Sequence, residues 1–367
     1  MKIVVTGSRG FIGKNLCIFL REEQHEVLEV HRETPQSDIL SYLQQADFVF
    51  HLAGINRPLD PTLFQVGNVD LTRFIVEGLS NSNRGVPLVL TSSSQAEDDN
   101  DYGVSKLAAE NIVQSYSVTT GAASHIYRLP NVFGKWCKPN YNSFVATFCN
   151  NALNGIDISV HDPRAPVRLA YIDDVCASFL ELLDGKASSG FLKLPVEFNT
   201  TVGEVANIIS SFSSSRTTLI TERVGAELTR ALYSTYLSYT PPDQFNYSIP
   251  SYADERGVFC EMLKTKDSGQ FSFFTAHPGI TRGGHYHHTK NEKFLVMKGE
   301  AVFKFESIST GQRHELTVNG SNPEIVETVP GWTHDITNSG DEELIVMLWA
   351  NEIFDRQRPD TITKELF

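Results

Sequence analysis

The chain has 367 residues, of which 41% are hydrophobic and 20% charged, and its net charge is −13. That length suggests two domains. The acidic balance, with no Lys/Arg-rich run, argues against a nucleic-acid partner, and no apolar run is long enough to span a bilayer.

Residues 3–5, Ile-Val-Val, begin a strand almost at once, which leaves no room for a signal peptide. The five cysteines, Cys17, Cys137, Cys149, Cys176 and Cys260, are scattered without a Cys-x-x-Cys pair. They read as reduced thiols of a cytoplasmic protein. The first strand runs into Gly7-Ser8-Arg9-Gly10-Phe11-Ile12-Gly13 and then a helical pattern through Leu16, Phe19 and Leu20. Strand, glycine turn and helix are the context in which backbone N–H groups and the helix dipole cradle a pyrophosphate. The second strand, Glu26 to Val30, ends in His31-Arg32. Arg32, with no acidic residue at the strand end, points to the 2′-phosphate of NADPH; Glu33 just beyond it argues the other way.

Asp47 to His51 is a third strand opening into Leu52-Ala53-Gly54, whose small residues let a cofactor approach the backbone. Asn68 begins a helix with Leu71, Phe74, Ile75 and Leu79 on one face, and Val86 to Thr91 is a buried strand ending in Ser92-Ser93-Ser94. Alternating strands and helices predict a doubly wound parallel sheet with ligands at the carboxyl ends of its strands. Tyr102 and Lys106 follow on the next helix, four apart and so on one face, where an ammonium would favour the phenolate. By itself that spacing recurs by chance.

Taken together and in order, Gly-x-x-Gly-x-x-Gly, His-Leu-Ala-Gly, Ser-Ser-Ser and Tyr-x-x-x-Lys resemble the extended short-chain dehydrogenases/reductases that act on nucleotide sugars. The resemblance covers roughly residues 1 to 240. It implies a cofactor site at Gly7, Gly10, Phe11, Ile12, Gly13, Arg32, Leu52, Ala53 and Gly54. It also implies Tyr102 as catalytic acid and Lys106 lowering its pKa and holding the nicotinamide ribose. Ser93 would orient the substrate carbonyl, with Ser92 and Ser94 as rivals. Arg128-Leu-Pro-Asn131-Val-Phe-Gly134 is similar to the family's sugar-nucleotide segment, so Asn131 would bond substrate. Arg168, in Val167 to Val175, would pair with the diphosphate; an ordinary surface ion pair is the alternative. Sugar 4,6-dehydratases of this family carry Asp-Glu after the Ser/Thr. Here Ser94-Gln95 follows Ser93, which leaves epimerase or reductase.

Thr240-Pro241-Pro242 breaks the last helix, Leu228 to Tyr239, and places a boundary near 242–250, giving domains 1–245 and 246–367. Short alternating runs follow at Phe271–Ala276, Lys293–Lys298, Ala301–Phe305 and Glu343–Trp349, which predict an all-β barrel or jelly roll. His285-Tyr286-His287-His288 with Glu292, and Pro330-Gly331 with His334, form a nitrogen/oxygen set suited to a divalent metal. The two segments resemble the paired motifs of the cupins. That resemblance implies His285, His287, Glu292 and His334 as ligands of a divalent metal, with Zn²⁺ the expected ion, and leaves open which of His285, His287 and His288 ligate. Asp254-Glu-Arg-Gly-Val-Phe259 and Pro278 to His285 are similar to the deoxysugar 3,5-epimerases, metal-free cupins with a His base. With His285 as a ligand, a water or another side chain is left as the base.

A nucleotide-sugar reductase followed by a cupin resembles the bifunctional capsule and O-antigen enzymes on the route to UDP-N-acetyl-L-fucosamine. The resemblance implies a UDP-linked 4-keto amino sugar as substrate, epimerisation at C3, reduction at C4 with NADPH, and UDP-N-acetyl-L-talosamine as product. Cupins commonly pair, so a homodimer is expected. Two other readings remain: a reductase whose cupin is only a metal-stabilised dimerisation module, and an NADPH-sensing regulator.

Overall fold

The computed structural model describes residues 1–254, 257–260, 263–265, 269–352 and 357–366. Glu255 and Arg256, in the segment likened to the 3,5-epimerases, lie outside the described residues. The chain divides into two compact units, Met1–Phe133 with Val167–Asn199, and Gly134–Pro166 with Thr200–Phe367. Residues 1–245 are therefore shared between the two.

The first unit is built on a six-stranded sheet, ordered across the sheet as Glu26–Val30, Lys2–Thr6, Phe48–His51, Leu88–Ser93, Ser124–Leu129 and Gly190–Leu192. All of its pairings are parallel. Strands covered on both faces need continuous apolar runs, and Ile3, Val4, Val5, Val49, Phe50, Leu88 and Val89 are all fully buried. The chain leaves Lys2–Thr6 to one side and returns to Phe48–His51 on the other. That reversal opens a crevice at the carboxyl ends, where Gly7 and Leu52-Ala53-Gly54 lie. The helix Asp101–Thr120 starts where the Asn100 side chain accepts the Gly103 N–H at 2.9 Å. It stops at Gly121, whose φ of +73° is the left-handed cap glycine tolerates.

The second unit joins helices to a double antiparallel sheet. Its sheets are five-stranded, Asn246–Ser248, Glu324–Glu327, Glu292–Lys298, Leu344–Ala350, Gln270–Ala276 in one and Arg313–Asn319, Glu300–Ser307, Trp332–Asn338, Thr281–Tyr286, Ile362–Thr363 in the other. Phe294, Val296, Phe303, Phe305, Ile336 and Val346 form the core between them. The strands expected at 271–276, 293–298, 301–305 and 343–349 are all present, and the fold is the Rossmann-like sheet followed by an all-β jelly roll that the sequence predicts.

Alternation along Glu292–Lys298 turns Glu292, Phe294 and Val296 to the inside and Lys293 to the opposite face. There Lys293 pairs with Glu327, and Glu327 also takes Arg216 at 2.5 Å; both Lys293 and Glu327 are buried. Arg216 also donates to the Gln244 carbonyl at 2.8 Å, and its guanidinium lies 5.1 Å from the centre of the Tyr247 ring. The helical segment after residue 200 is thus fastened to the barrel by buried charge. Burial works against ionisation of Glu327, but Lys293 and Arg216 outweigh it and hold the carboxyl below its ordinary 4.5. Its contribution to stability is therefore present above that ordinary value and fades as pH falls through the depressed one. Replacing Glu327 by Gln strands a buried ammonium. The second unit is expected to lose about 3–5 kcal/mol in urea titrations at neutral pH.

Candidate active site and metal centre

Gly7 has φ +69°, and a Cβ there would lie 2.8 Å from the Ala53 nitrogen. A Cβ on Gly10 would meet the Gly7 carbonyl at 3.0 Å and one on Gly13 would meet it at 2.2 Å. The three glycines thus let the turn fold under the start of the helix Phe11–Glu22. That helix has no acidic residue in its first turn and no side-chain cap. Its N–H groups remain available to an anion. Phe11, Ile12 and Gly13 lie in that first turn, Leu52 and Ala53 lie against Gly7 from the neighbouring strand end, and Gly54 beside them faces Asn68 and Lys106. Arg32 is exposed, and the carboxylate of Glu33 is taken by Arg9 of the glycine turn at 2.7 Å. His51, in the conspicuous His-Leu-Ala-Gly run, is structural. It is buried between Thr6 Oγ1 at 2.7 Å and Thr72 Oγ1 at 2.9 Å, and burial brings it down to about 3.

The three serines separate cleanly. Ser92 Oγ donates to Glu110 at 2.5 Å, and that buried carboxylate is clamped by Arg128 through Nε at 2.9 Å and Nη2 at 2.8 Å. Ser94 is exposed. Ser93 accepts the Gln95 N–H at 3.1 Å, and its side chain is close enough to the Tyr102 phenol to draw its pKa down, beside the Phe64 ring. The strand end thus presents Tyr102 and Ser93 together.

Lys106 is tied to the strand end. Its ammonium donates to the Thr91 carbonyl at 2.7 Å, and burial brings it down to about 8 against the pull of Glu110. Tyr102 is pushed up by burial, with Ser93 opposing. The helix period puts Tyr102 and Lys106 on one face, and the lysine stem carries its ammonium to the strand.

Asn68, read from the sequence only as a helix start, lies inside a π-turn over Gln65–Asp70 that precedes the helix Leu71–Ser82. Its side chain takes the Ile55 N–H at 2.7 Å and donates to the Ile55 carbonyl and to Ser105 Oγ, both at 2.9 Å. Such bulges mark functional positions more often than chance, and only a polar residue in an apolar helix face could have flagged it. Asn131 is exposed at the start of the Asn131–Phe133 strand. Arg168 pairs with Glu197 at 3.1 Å, the ion pair held open as the alternative.

In the second unit, ligand atoms of His285, His287, Glu292 and His334 all lie within 4.8 Å of one another. A bulge at Gly283, φ +108°, brings the Thr281–Tyr286 strand against Trp332–Asn338, so that His285 faces His334. His288 turns aside: its ring meets Tyr286 edge-on at 5.7 Å, and it is not one of the four. Burial, then His334 and His287, takes His285 down to about 4, and burial also lowers His334. Burial pushes Glu292 up, but the imidazoles of His287 and His334 overrule it and hold its carboxyl well below the usual range. At neutral pH the group is therefore an ionised carboxylate among imidazoles, two of them held neutral.

The His287 Nδ1 contacts the Asp360 carbonyl, which can only accept, so Nδ1 carries the proton. That leaves Nε2 facing Glu292 Oε2 at 3.2 Å. His334 Nε2 lies 3.4 Å from the same oxygen, and its Nδ1 has no partner among the described residues. A divalent cation between them fits this donor set. Lys290 Nζ takes the other oxygen of Glu292 at 2.8 Å.

Because a Cβ on Gly13 would sit 2.2 Å from backbone, Gly13→Ala is expected to weaken nicotinamide dinucleotide binding about tenfold or more in fluorescence titrations, by displacing the turn from the pyrophosphate.

Residues 3–190 match the NAD dependent epimerase/dehydratase family, and residues 252–362 match the polysaccharide biosynthesis C-terminal domain. The UDP-2-acetamido-2,6-beta-L-arabino-hexul-4-ose reductase of Pseudomonas aeruginosa is 54% identical over 363 residues, 98% of each chain. Among solved structures, the capsular polysaccharide assembling protein CapF from Staphylococcus aureus is 41% identical, with each chain covered completely and a TM-score of 0.69. The UDP-N-acetylglucosamine 4-epimerase of Bacillus cereus, at 24% identity and a TM-score of 0.51, covers 57% of this chain and 81% of its own and shares the fold. The chain belongs to the NAD dependent epimerase/dehydratase family, with a polysaccharide biosynthesis C-terminal domain behind the dehydrogenase region.

Proposed function

We propose that this protein is a bifunctional nucleotide-sugar enzyme of capsular polysaccharide biosynthesis. On this reading region 246–367, the cupin, epimerises C3 of a UDP-2-acetamido-2,6-dideoxy-4-hexulose. Region 1–245 then reduces the C4 ketone with NADPH, giving UDP-N-acetyl-L-talosamine on the route to UDP-N-acetyl-L-fucosamine. The observation that carries the reductase half is the placement of Ser93 beside the Tyr102 phenol at the end of a central parallel strand, with Lys106 anchored to Thr91 in the same strand. Near-complete coverage of the Pseudomonas reductase supports the substrate class.

Bound NADPH supplies the hydride. The chain supplies the rest: the Tyr102 hydroxyl donates its proton to the C4 oxygen, Ser93 holds that oxygen, and Lys106 bonds the nicotinamide ribose. The upward shift of Tyr102 suits a donor that must stay protonated until the carbonyl takes on charge. Arg32, with Glu33 occupied by Arg9, supports NADPH over NADH. Asn131 and Arg168 would hold the sugar and the diphosphate, Arg168 exchanging Glu197 for phosphate oxygens.

His285, His287, Glu292 and His334 would hold a divalent ion such as Zn²⁺, which supplies positive charge near a substrate oxygen. A C4 ketone acidifies the C3 hydrogen, so a base can remove it and return it on the other face. Reduction of the ketone afterwards fixes the new configuration. A second reading keeps the reductase and makes the cupin a metal-stabilised dimerisation module. Phe271 and Phe273, 49% and 72% exposed on the edge strand of one sheet, favour it in part and support a homodimer on either reading.

Supplying the ketosugar with NADPH is expected to give loss of NADPH absorbance and a 4-hydroxy product; no oxidation of NADPH overturns the reductase. Tyr102→Phe is expected to lower kcat about 10²–10⁴-fold while leaving NADPH affinity near that of the parent. The charge on Lys106 is present below its lowered pKa of about 8 and lost above it. NADPH affinity, titrated across pH, is therefore expected to weaken above pH of about 8; affinity that holds steady through the ordinary lysine range contradicts that role.

A further inference from the structure

Residues 287–290 form an irregular turn between two strands, outside any ladder. The turn carries His287 and runs directly into Glu292, so its shape decides where two of the four clustered groups stand. An irregular buried turn must find partners for its backbone N–H groups. Here those of His288, Thr289 and Lys290 converge on one residue far downstream. Asp360 Oδ1 accepts the His288 N–H at 2.8 Å. Its Oδ2 accepts the Thr289 N–H at 2.6 Å, the Lys290 N–H at 2.7 Å and the Thr289 hydroxyl at 2.9 Å. Its main-chain carbonyl meets His287 Nδ1. Just beyond it the chain adds a short strand, pairing Ile362 with Tyr286 and Thr363 with His285. One residue thus closes the turn with its carboxylate and sets a ring tautomer with its backbone.

We propose that Asp360 is a positioning residue of the metal centre: its carboxylate fixes the 287–290 turn, and its carbonyl holds His287 Nδ1–H so that Nε2 is presented to the ion. The inference rests on the reading of His285, His287, Glu292 and His334 as a metal-binding group. It goes further in assigning their pre-organisation to the C-terminal segment. A carbonyl behind a ligating imidazole does two things: it selects the tautomer whose free nitrogen faces the ion, and it raises the basicity of that nitrogen. A carboxylate is the one side chain that can accept from three consecutive N–H groups and a hydroxyl at once. Asparagine offers a single acceptor oxygen, and its amide would set a donor against the remaining N–H groups.

The test uses the full-length protein stripped of metal and titrated with Co²⁺, read by visible ligand-field absorption and by competition with a chelator. NADPH affinity serves as the control for folding. Wild type is expected to take up one Co²⁺ per chain. Asp360→Asn is expected to bind Co²⁺ about 10- to 100-fold more weakly, with altered ligand-field bands and wild-type NADPH affinity. A purely structural role would lower thermal stability without moving the bands. If Asp360→Asn fails to fold, Asp360→Glu carries the test. It keeps the charge but displaces both oxygens and is expected to give a smaller loss of affinity with shifted bands. Wild-type Co²⁺ affinity and an unchanged spectrum in a folded variant overturn the role of Asp360 alone. Failure of the wild-type protein to bind Co²⁺ overturns the metal reading and the inference with it.

Discussion

The placement of one helix on one strand end governs the candidate reductase site. Asp101–Thr120 is docked against Leu88–Ser93 by two buried bonds, Lys106 to the Thr91 carbonyl and Ser92 to Glu110. Gly103 lets the helix start close in: a Cβ there would lie 2.3 Å from the Gln95 carbonyl and 2.5 Å from that of Asp98. The buried Glu110 is paired bidentately with Arg128. With the helix seated, Tyr102 has no choice but to face Ser93. Asn68 locks the neighbouring loop by bonding both main-chain polar groups of Ile55 and holding Ser105 of the same helix.

The second unit solves a similar problem with charges inside a β-structure. Glu292 is turned inward among imidazoles, while Lys293, one residue on, is turned to the opposite face and neutralised by Glu327. Alternation along one strand therefore separates a ligand-type carboxylate from a structural ion pair. The turn before the strand is held from two directions, by Asp360 and by the helix Glu227–Leu237, whose Ser234 donates to the Thr289 carbonyl at 2.8 Å. Gly331 is tied to the same turn, donating its N–H to the His287 carbonyl at 2.9 Å, three residues before His334. The four clustered groups are thus supported by contacts that involve none of their ligand atoms, apart from the His287 ring itself.

Features set by short-range periodicity were legible in the sequence. The glycine turn, the Tyr102–Lys106 face, the alternating strands and the clustering of His285, His287, Glu292 and His334 all follow from spacing or from short motifs. What was not legible depends on partners distant in the chain. Ser93 stands apart from Ser92 only because Glu110 and Arg128 claim the latter. A shared helix face places the Lys106 backbone beside Tyr102 but cannot say where a four-carbon stem ends, and it ends at Thr91. His288 is excluded from the cluster by the bend of its turn, and the agent of that bend, Asp360, carries no local signal in Arg358-Pro-Asp-Thr361. The extent of the second unit, which recruits 134–166 and 200–245, likewise rests on contacts such as Arg216 with Glu327 rather than on the proline break.

The central claim is a division of labour: proton removal at C3 by the cupin, proton delivery at C4 by Tyr102. Its most direct test is the Tyr102→Phe protein incubated in heavy water with the UDP-linked 4-hexulose and NADPH, followed by proton NMR and NADPH absorbance. The account predicts deuterium at C3 of the ketosugar with little oxidation of NADPH. Absence of exchange at C3, in this variant and in wild type alike, would contradict it and leave a reductase with a structural cupin.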